Sequence, residues 1–269
     1  MEGNHRYFIM TDIEGVTGVQ SFENTRTNDV ALKGWVMKQL ALETNACIAG
    51  ILEADPQAEI DVFDGHGTGG LFAEDLINGR YVREAHYVRD HIGQYRAMLF
   101  VGQHAMAGTI HAPLCHTFSS VSIQHYRING VNIGEFAAIA GAAGVHDVPT
   151  IFLAGDDKAA MEAQMFVPNI ETVVTKLGLG MELAEHIASD IVCKLIQQGA
   201  AKAVRRIDEI GPLRVFEAPF EFEARYFEPQ NPKEGHWKER TERNEIELEW
   251  LDSRTYRLIT ADYAKLPFM

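Results

Sequence analysis

Three short apolar segments, each followed at once by acidic or histidine residues, constrain the fold of this chain more than any other feature. The three segments are residues 7–10, 60–63 and 98–101. Short apolar runs that end in polar residues are typical of buried strands. Because the long connections between them leave room for helical crossovers, we expect an α/β fold with a mostly parallel central sheet flanked by helices. In such sheets, functional side chains gather at the carboxyl ends of the strands.

Helical spacing and turn residues predict further elements. Asn28 and Asp29 can cap a helix that runs up to Asp55, since the apolar residues between them recur at helical spacing. The pair Asn129 and Gly130, flanked by alternating residues, predicts a hairpin. Further helices are predicted at 136–145, 159–165 and 181–197, and a further strand is predicted at 150–154.

The C-terminal third of the chain differs in character from the rest. Strand patterns occur at 213–216, 245–250 and 256–260, and the polar stretch 228–243 predicts an exposed loop. We therefore expect an α/β core at residues 1–205 and a small α+β appendage at residues 206–269.

Net charge and cysteine content limit which binding partners and which cellular compartment are expected for this chain. The formal net charge is -14, which repels phosphate backbones and anionic lipids, so neither nucleic acid nor a membrane is expected as a partner. The sequence shows no apolar run of about 18 residues that could span a membrane, and we expect no signal peptide. The 3 cysteines have no close-paired spacing, which argues against a disulfide framework. Together these features predict a cytoplasmic protein.

Polar residues after the apolar segments form a candidate metal site. Asp12 and Glu14 are two apart after the first strand, so both carboxylates can face one side of extended backbone. Two carboxylates at such a short distance repel each other unless a cation or a proton lies between them. His66 lies between two glycines after the second strand, and His104 follows the third. Asp64 is a candidate partner that orients the His66 ring.

Glu135 extends this set to three carboxylates and two imidazoles, although a glutamate at a helix start is also favoured by the helix dipole alone. Mixed nitrogen and oxygen ligands suit zinc, and also manganese or cobalt. Five ligands exceed what one catalytic zinc takes from a protein. We therefore expect two metal ions about 3.5–4 Å apart, bridged by one carboxylate, which activate water and polarise a carbonyl.

Other polar residues near this set have more than one interpretation. His116 is either a third imidazole ligand or a general acid/base beside the metals. Cys115 is not expected to act as its nucleophilic partner, because adjacent residues of a strand point to opposite faces. His111 and His125 are expected to be structural, and Asp156 is expected to cap a helix rather than to contact phosphate or metal. Since no glycine-rich phosphate loop occurs, nucleotide cofactors are disfavoured.

The ordered set of these motifs resembles the zinc-dependent D-aminopeptidases, a family of metallopeptidases. In the order of the family, the motifs are Asp-Ile-Glu-Gly-Val-Thr-Gly at 12–18, Asp-Gly-His at 64–66, Gly-Gln-His-Ala at 102–105, His116, Ile-Gly-Glu at 133–135 and Gly-Asp-Asp at 155–157. The resemblance covers residues 6–200 well and the C-terminal part loosely. One departure is Cys115, which stands where the family commonly has serine.

The resemblance implies a binuclear zinc hydrolase, with two ions per chain, that removes N-terminal D-amino acids of the D-alanine type from short peptides or amides. The implied metal ligands are Asp12, Glu14, His66, His104 and Glu135. Asp12 would be the bridging ligand and His116 the catalytic histidine. The family also forms ring-shaped homo-oligomers, decamers of stacked pentamers, whose sites face an internal chamber.

Two alternatives stay open on the sequence. A metal-dependent amidohydrolase acting on a small non-peptide amide would use the same ligands. A non-catalytic metal-binding protein that forms rings would bind the metal without turnover. A metal phosphoesterase also uses such ligands, but the sequence offers no evident basic clamp for phosphate.

Overall fold

A seven-stranded sheet forms the centre of the computed structural model, which describes residues 4–231 and 247–269. The strands, in the order in which they lie side by side, are β3 (Arg80–Val82), β2 (Glu59–Asp64), β1 (Arg6–Thr11), β4 (Ala97–Gln103), β7 (Thr150–Asp156), β8 (Glu171–Gly180) and β9 (Leu183–His186). Neighbouring strands are parallel except for β8 and β9. The prediction of a mostly parallel sheet is therefore confirmed.

Five α-helices accompany this sheet in the described part of the chain. They are α1 (Val30–Ala54), α2 (Tyr87–His91), α3 (Glu135–Gly144), α4 (Asp157–Phe166) and α5 (Ser189–Arg205). Asp29 caps α1, as predicted, because its side chain accepts a hydrogen bond from the Ala31 N–H at 2.9 Å. Helix α1 packs along α5, α3 contacts the central strands β4 and β7, and α4 contacts β7 and β8. Within the described residues, every helix is too short or too polar to cross a membrane.

The strand order places a topological switch beside β1. The chain runs from β1 outward through β2 to β3, and it then returns to β4 on the other side of β1. Open α/β sheets bind ligands outside the carboxyl ends of the strands at such a switch point. The polar residues that follow β1, β2 and β4 are thereby brought to one edge of the sheet.

Two glycines let the backbones after β1 and β4 approach closely. The Gly15 N–H donates to the Gly102 carbonyl at 2.7 Å, and a Cβ on Gly15 would lie only 2.1 Å from the Gln103 carbonyl oxygen. Gly102 has φ +80°, and its Cβ would lie 1.9 Å from the Asp12 carbonyl oxygen. Glycine is required where backbone meets backbone at these distances. The segment that carries Asp12 is therefore fixed against the end of β4.

A second, antiparallel sheet joins the middle of the chain to its C-terminal part. Its strands, in spatial order, are β11 (Glu249–Trp250), β12 (Thr255–Thr260), β10 (Phe220–Tyr226), β5 (Ile123–Ile128) and β6 (Val131–Ile133). Asn129 and Gly130 connect β5 to β6 with φ +50° and +79°, which confirms the predicted hairpin. Since β10 pairs with β5, the C-terminal residues complete a sheet that begins earlier in the chain. The domain division at residue 205 stays a prediction.

Two predicted elements are wrong in part or entirely. The helix predicted at 181–197 is instead strand β9 followed by α5, because residues 183–186 pair with β8. Residues 213–216 form no strand. The Leu213 carbonyl oxygen lies only 2.0 Å from the position a Cβ on Gly144 would take, so this segment packs on the end of α3 rather than on a sheet edge. Residues 232–243 of the predicted polar loop lie outside the described residues.

Candidate metal centre

The predicted site residues line or border one cavity at the carboxyl edge of the parallel sheet. The cavity has a volume of about 480 Å³. Asp12 and Glu14 follow β1, His66 follows β2, and His104 follows β4. Asp12, Glu14 and His104 are almost fully buried, with exposed fractions of 6%, 2% and 2%. The sheet therefore collects ionisable side chains where solvent barely reaches them.

Asp12, Glu14 and His104 form the first of two compact groups. The His104 Nε2 lies 3.2 Å from the Asp12 Oδ2, and one ligand atom from each of the three residues lies within 4.8 Å of the others. On the other side of Glu14, its Oε1 lies 3.3 Å from the His66 Nε2. Four of the predicted ligands thus form two directly contacting pairs, and Asp12, Glu14 and His104 bring the two pairs within 4.8 Å of each other.

His104, His116 and Glu135 form the second group, which shares His104 with the first. Glu135 is the first residue of α3, and its Oε1 lies 3.4 Å from the His104 Nε2 and 3.7 Å from the His116 Nε2. The two imidazole rings are stacked, with centroids 3.9 Å apart and an interplanar angle of 13°. The same geometry is compatible with His116 as a ligand or as an acid/base group.

Backbone carbonyls orient two of the imidazoles. The His104 Nδ1 lies 2.9 Å from the Ala105 carbonyl oxygen, and the His116 Nδ1 lies 2.8 Å from the Leu114 carbonyl oxygen. Because a carbonyl only accepts, both Nδ1 atoms must be the donors. The Nε2 atoms of both rings consequently face the carboxylates. Metal-binding histidines are commonly oriented by this kind of bond.

Unpartnered buried atoms show that the cluster fits a cation. Within the described residues, the His104 Nε2 and the Glu14 Oε2 are buried without a hydrogen-bond partner. Burial opposes the charged form of His104, yet the Glu135 and Asp12 carboxylates raise its pKa well above the usual value. Burial and the nearby Glu14 raise the pKa of Asp12 to about 7. A proton or a metal ion must therefore lie among these groups, and the nitrogen and oxygen donors suit zinc-like ions.

Asp64 does not orient the His66 ring, so that prediction is wrong. The Asp64 carboxylate instead accepts hydrogen bonds from the Gly70 N–H at 2.8 Å and the Tyr81 hydroxyl at 3.0 Å. Arg83 also donates to it at 3.3 Å. Asp64 therefore holds the loop on which His66 lies, and its negative charge is satisfied by that loop and its neighbours.

His66 is oriented by a residue that the sequence did not suggest. Its Nδ1 lies 3.3 Å from the Thr68 Oγ1, and that hydroxyl also accepts a hydrogen bond from the buried Lys33 Nζ at 2.8 Å. Burial lowers the pKa of His66, but the Glu14 carboxylate raises it more, to about 9. In the absence of a metal, a proton is therefore held between His66 and Glu14.

Lys176 supports the segment that carries the two carboxylates. This side chain of β8 is fully buried, and its Nζ donates to the carbonyl oxygens of Glu14, Val16 and Val19. Burial lowers the pKa of Lys176 to about 8. Its contact with Glu14 spans 162 residues of sequence, so spacing could not have revealed it. The one available signal is a lysine within a segment rich in valine and leucine.

Two further acids support the segment after β4. Asp156 caps α4, accepting from the Lys158 and Ala159 N–H groups at 2.8 and 3.0 Å, as the sequence predicted. It also accepts from the Ala105 N–H at 3.2 Å, next to His104. Glu162, which the sequence did not suggest, accepts from the Met106 N–H at 2.8 Å, and burial raises its pKa to about 7.

The remaining candidates lie elsewhere. Cys115 is buried in a small cluster with Ala105 and Ala112, and burial raises the pKa of its thiol. His125 contacts Glu223 at 3.0 Å in the second sheet. The His111 Nδ1 lies 3.1 Å from a backbone carbonyl of β8. None of these three residues lines the cavity, in agreement with the sequence analysis.

Known proteins share this sequence pattern and this fold. A family model described as D-aminopeptidase matches residues 6–265. A D-aminopeptidase from Bacillus subtilis (strain 168) is 28% identical over 218 residues, which cover 77% of this chain and 77% of that protein. A solved structure, described as the Zn-dependent D-aminopeptidase DppA from Bacillus subtilis, a self-compartmentalizing protease, aligns with a TM-score of 0.80 at 22% identity. The alignment covers 97% of this chain and 93% of that one.

Proposed function

Because this chain belongs to the D-aminopeptidase family, we propose that it is a zinc-dependent hydrolase that removes N-terminal D-amino acids, D-alanine above all, from short peptides or amides. The observation that carries the proposal is the buried His104 Nε2, which faces the carboxylates of Asp12 and Glu135 without a hydrogen-bond partner among the described residues. A cation resolves this arrangement, and the donor atoms are those that zinc prefers.

We assign roles to six residues. The proposed ligands of two zinc ions are Asp12, Glu14, His66, His104 and Glu135, and the same donors suit manganese or cobalt. Asp12 would contribute to holding both ions. When bound there, zinc would supply a Lewis acid for the scissile carbonyl and lower the pKa of water.

His116 is the proposed acid/base group. Its Nδ1 is held by the Leu114 carbonyl at 2.8 Å, so its Nε2 is the nitrogen that faces the cavity. Burial and the neighbouring His104 ring lower the pKa of His116, which favours a neutral imidazole at pH 7. A neutral imidazole can accept a proton at Nε2 and return it to the leaving amine.

Hydrolysis of three matched substrates tests the proposed function. The purified protein is assayed on D-Ala-D-Ala, L-Ala-L-Ala and D-alanine amide, after chelation and again after zinc is restored. We expect zinc-dependent cleavage of both D-substrates and little cleavage of the L-dipeptide. Cleavage of D-alanine amide but of neither dipeptide would favour the amidohydrolase alternative. Two bound zinc ions per chain without any cleavage would favour a non-catalytic metal-binding protein.

We also propose that the chain assembles into a ring-shaped homo-oligomer, a decamer. The similar Bacillus subtilis enzyme is described as self-compartmentalizing. This chain has exposed apolar side chains on the β8–β9 hairpin, including Leu179, Met181 and Leu183, and such a patch is typical of an interface. Sedimentation should give ten times the mass of one chain, and a monomer at micromolar concentration would refute the assembly. A cytoplasmic location belongs to the same proposal, since all three cysteines are unpaired.

A further inference from the structure

The cavity has two chemically different ends. The carboxylates of Asp12, Glu14 and Glu135 form its acidic end, and Arg26 together with its partner Ser120 forms its cationic end. Within the described residues, Arg26 is the one arginine or lysine that lines this cavity. An arginine at one end of an otherwise acidic cavity separates positive from negative charge along its length. A ligand with charges at both of its ends would therefore bind in one direction.

Arg26 is held in place by its neighbours. Its guanidinium lies over the Phe22 ring, 3.4 Å from the centroid. The Nε donates to the Ser120 Oγ at 2.8 Å, and the Nη2 donates to the Ser120 carbonyl oxygen at 3.3 Å. These bonds use two of the five N–H donors of a guanidinium. The others stay available in a side chain whose position is already fixed, which lowers the entropic cost of binding a ligand.

Within the described residues, the hydrogen bonds of the Arg26 guanidinium go to Ser120, and no ion pair joins it to a carboxylate. Glu14 and Glu182 are nevertheless close enough to raise its pKa, although burial has the larger and opposite effect. Arg26 lines the same cavity as Asp12, Glu14 and Glu135. One small ligand can therefore contact both the guanidinium and the acidic end.

We propose that Arg26 binds the C-terminal carboxylate of a short peptide substrate and so selects peptides with a free carboxylate over amides. This inference rests on the proposed function. A planar guanidinium binds a carboxylate through two parallel hydrogen bonds. The free amine of the same peptide would lie at the acidic end, beside the proposed ligands. The reverse direction would place the peptide carboxylate against Asp12, Glu14 and Glu135, where like charges repel.

The size of the cavity agrees with this substrate class. Its volume of about 480 Å³ is in the range of sites for small ligands. Phe118 and Val121 supply apolar surface to the same cavity, which suits the side chains of a dipeptide. Arg26 is thus a specificity-determining residue that acts on the far end of the substrate.

The test compares two substrates that share the scissile D-alanyl group. D-Ala-D-Ala has the carboxylate and D-alanine amide lacks it. Arg26→Met keeps the aliphatic stem over Phe22 but removes the guanidinium. We expect kcat/KM for D-Ala-D-Ala to fall by about 10- to 100-fold, mainly through KM, because a charge-assisted hydrogen bond is lost. Activity on D-alanine amide should change by less than about twofold.

Two further variants control this experiment. Arg26→Lys keeps the charge without the planar fork. Its KM for D-Ala-D-Ala should therefore lie between those of the unaltered protein and Arg26→Met. Arg205→Met removes an exposed cation of α5 that pairs with Glu53, and it should leave both substrates unaffected. An equal loss on both substrates, or no loss on the dipeptide, would overturn the role of Arg26 while the proposed function stands. If the unaltered protein cleaves neither substrate, the proposed function fails and the role of Arg26 fails with it.

Discussion

His116→Ala is expected to lower kcat on D-alanyl peptides by about 10²- to 10⁴-fold, the usual contribution of a general acid/base, and to leave zinc content nearly unchanged. The His116 Nε2 is 3.7 Å from the Glu135 Oε1, which is the longest of the contacts that connect the cluster. The other side of its ring is already held by Leu114. The side chain is thus positioned beside the proposed ligands, and the five other residues can hold the ions without it.

The measurement pairs steady-state kinetics with the number of zinc ions bound per chain. His125→Ala is the matched control, because it removes an imidazole that pairs with Glu223 in the second sheet, and it should retain full activity. Loss of one zinc ion together with activity would show that His116 is a ligand in the group with His104 and Glu135. Retention of both zinc and activity would remove His116 from the mechanism.

The positions of the candidate ligands could be predicted because the sequence marks them locally. Asp12, His66 and His104 each follow an apolar run, and parallel strands place their carboxyl ends at one edge whatever the details of packing. Glu135 and His116 were weaker signals, since each has an ordinary structural explanation when taken alone. Their inclusion depended on the ordered set of motifs.

The residues that hold the site in place could not be predicted, because their contacts depend on tertiary packing. Lys176 contacts the Glu14 carbonyl across 162 residues of sequence, and Arg26 contacts Ser120 across 94. Proximity in sequence predicts that Asp64 orients His66. In the structure, the acceptor positions of Asp64 are used by Gly70, Tyr81 and Arg83 instead.

The errors in secondary structure have a similar origin. Leu183 and Ile187 fit the spacing of a helix, yet residues 183–186 pair with β8 in an antiparallel register. Short apolar patterns are ambiguous between helix and strand, and the available sheet edge decides between them. Residues 213–216 are mostly apolar, as in a short strand, but no sheet edge of the described residues accepts them, and Leu213 packs on Gly144.

Glu14→Gln is expected to lower zinc affinity by more than about 100-fold, since even residues that only orient ligands contribute about 10- to 100-fold. The glutamine keeps the size of the side chain and loses its charge. It also places an N–H₂ group at one of the two oxygen positions. The Glu14 Oε1 lies 3.3 Å from the His66 Nε2, and the Glu14 Oε2 is buried without a hydrogen-bond partner in the described residues. Either orientation points a donor at a position suited to a cation.

Thermal unfolding with and without zinc measures this effect independently of activity. Zinc at 100 times its Kd should stabilise the unaltered protein by about 2.7 kcal/mol, and the same zinc concentration should raise the Tm of Glu14→Gln far less. Glu23→Gln alters an exposed glutamate in the helical turn before α1 and should keep the full zinc-dependent shift. If Glu14→Gln kept that shift and its peptidase activity, Glu14 would not be a ligand. The repulsion between Asp12 and Glu14 would then be relieved by the proton that His66 holds. The ligands of the metal would instead be His104, His116 and Glu135.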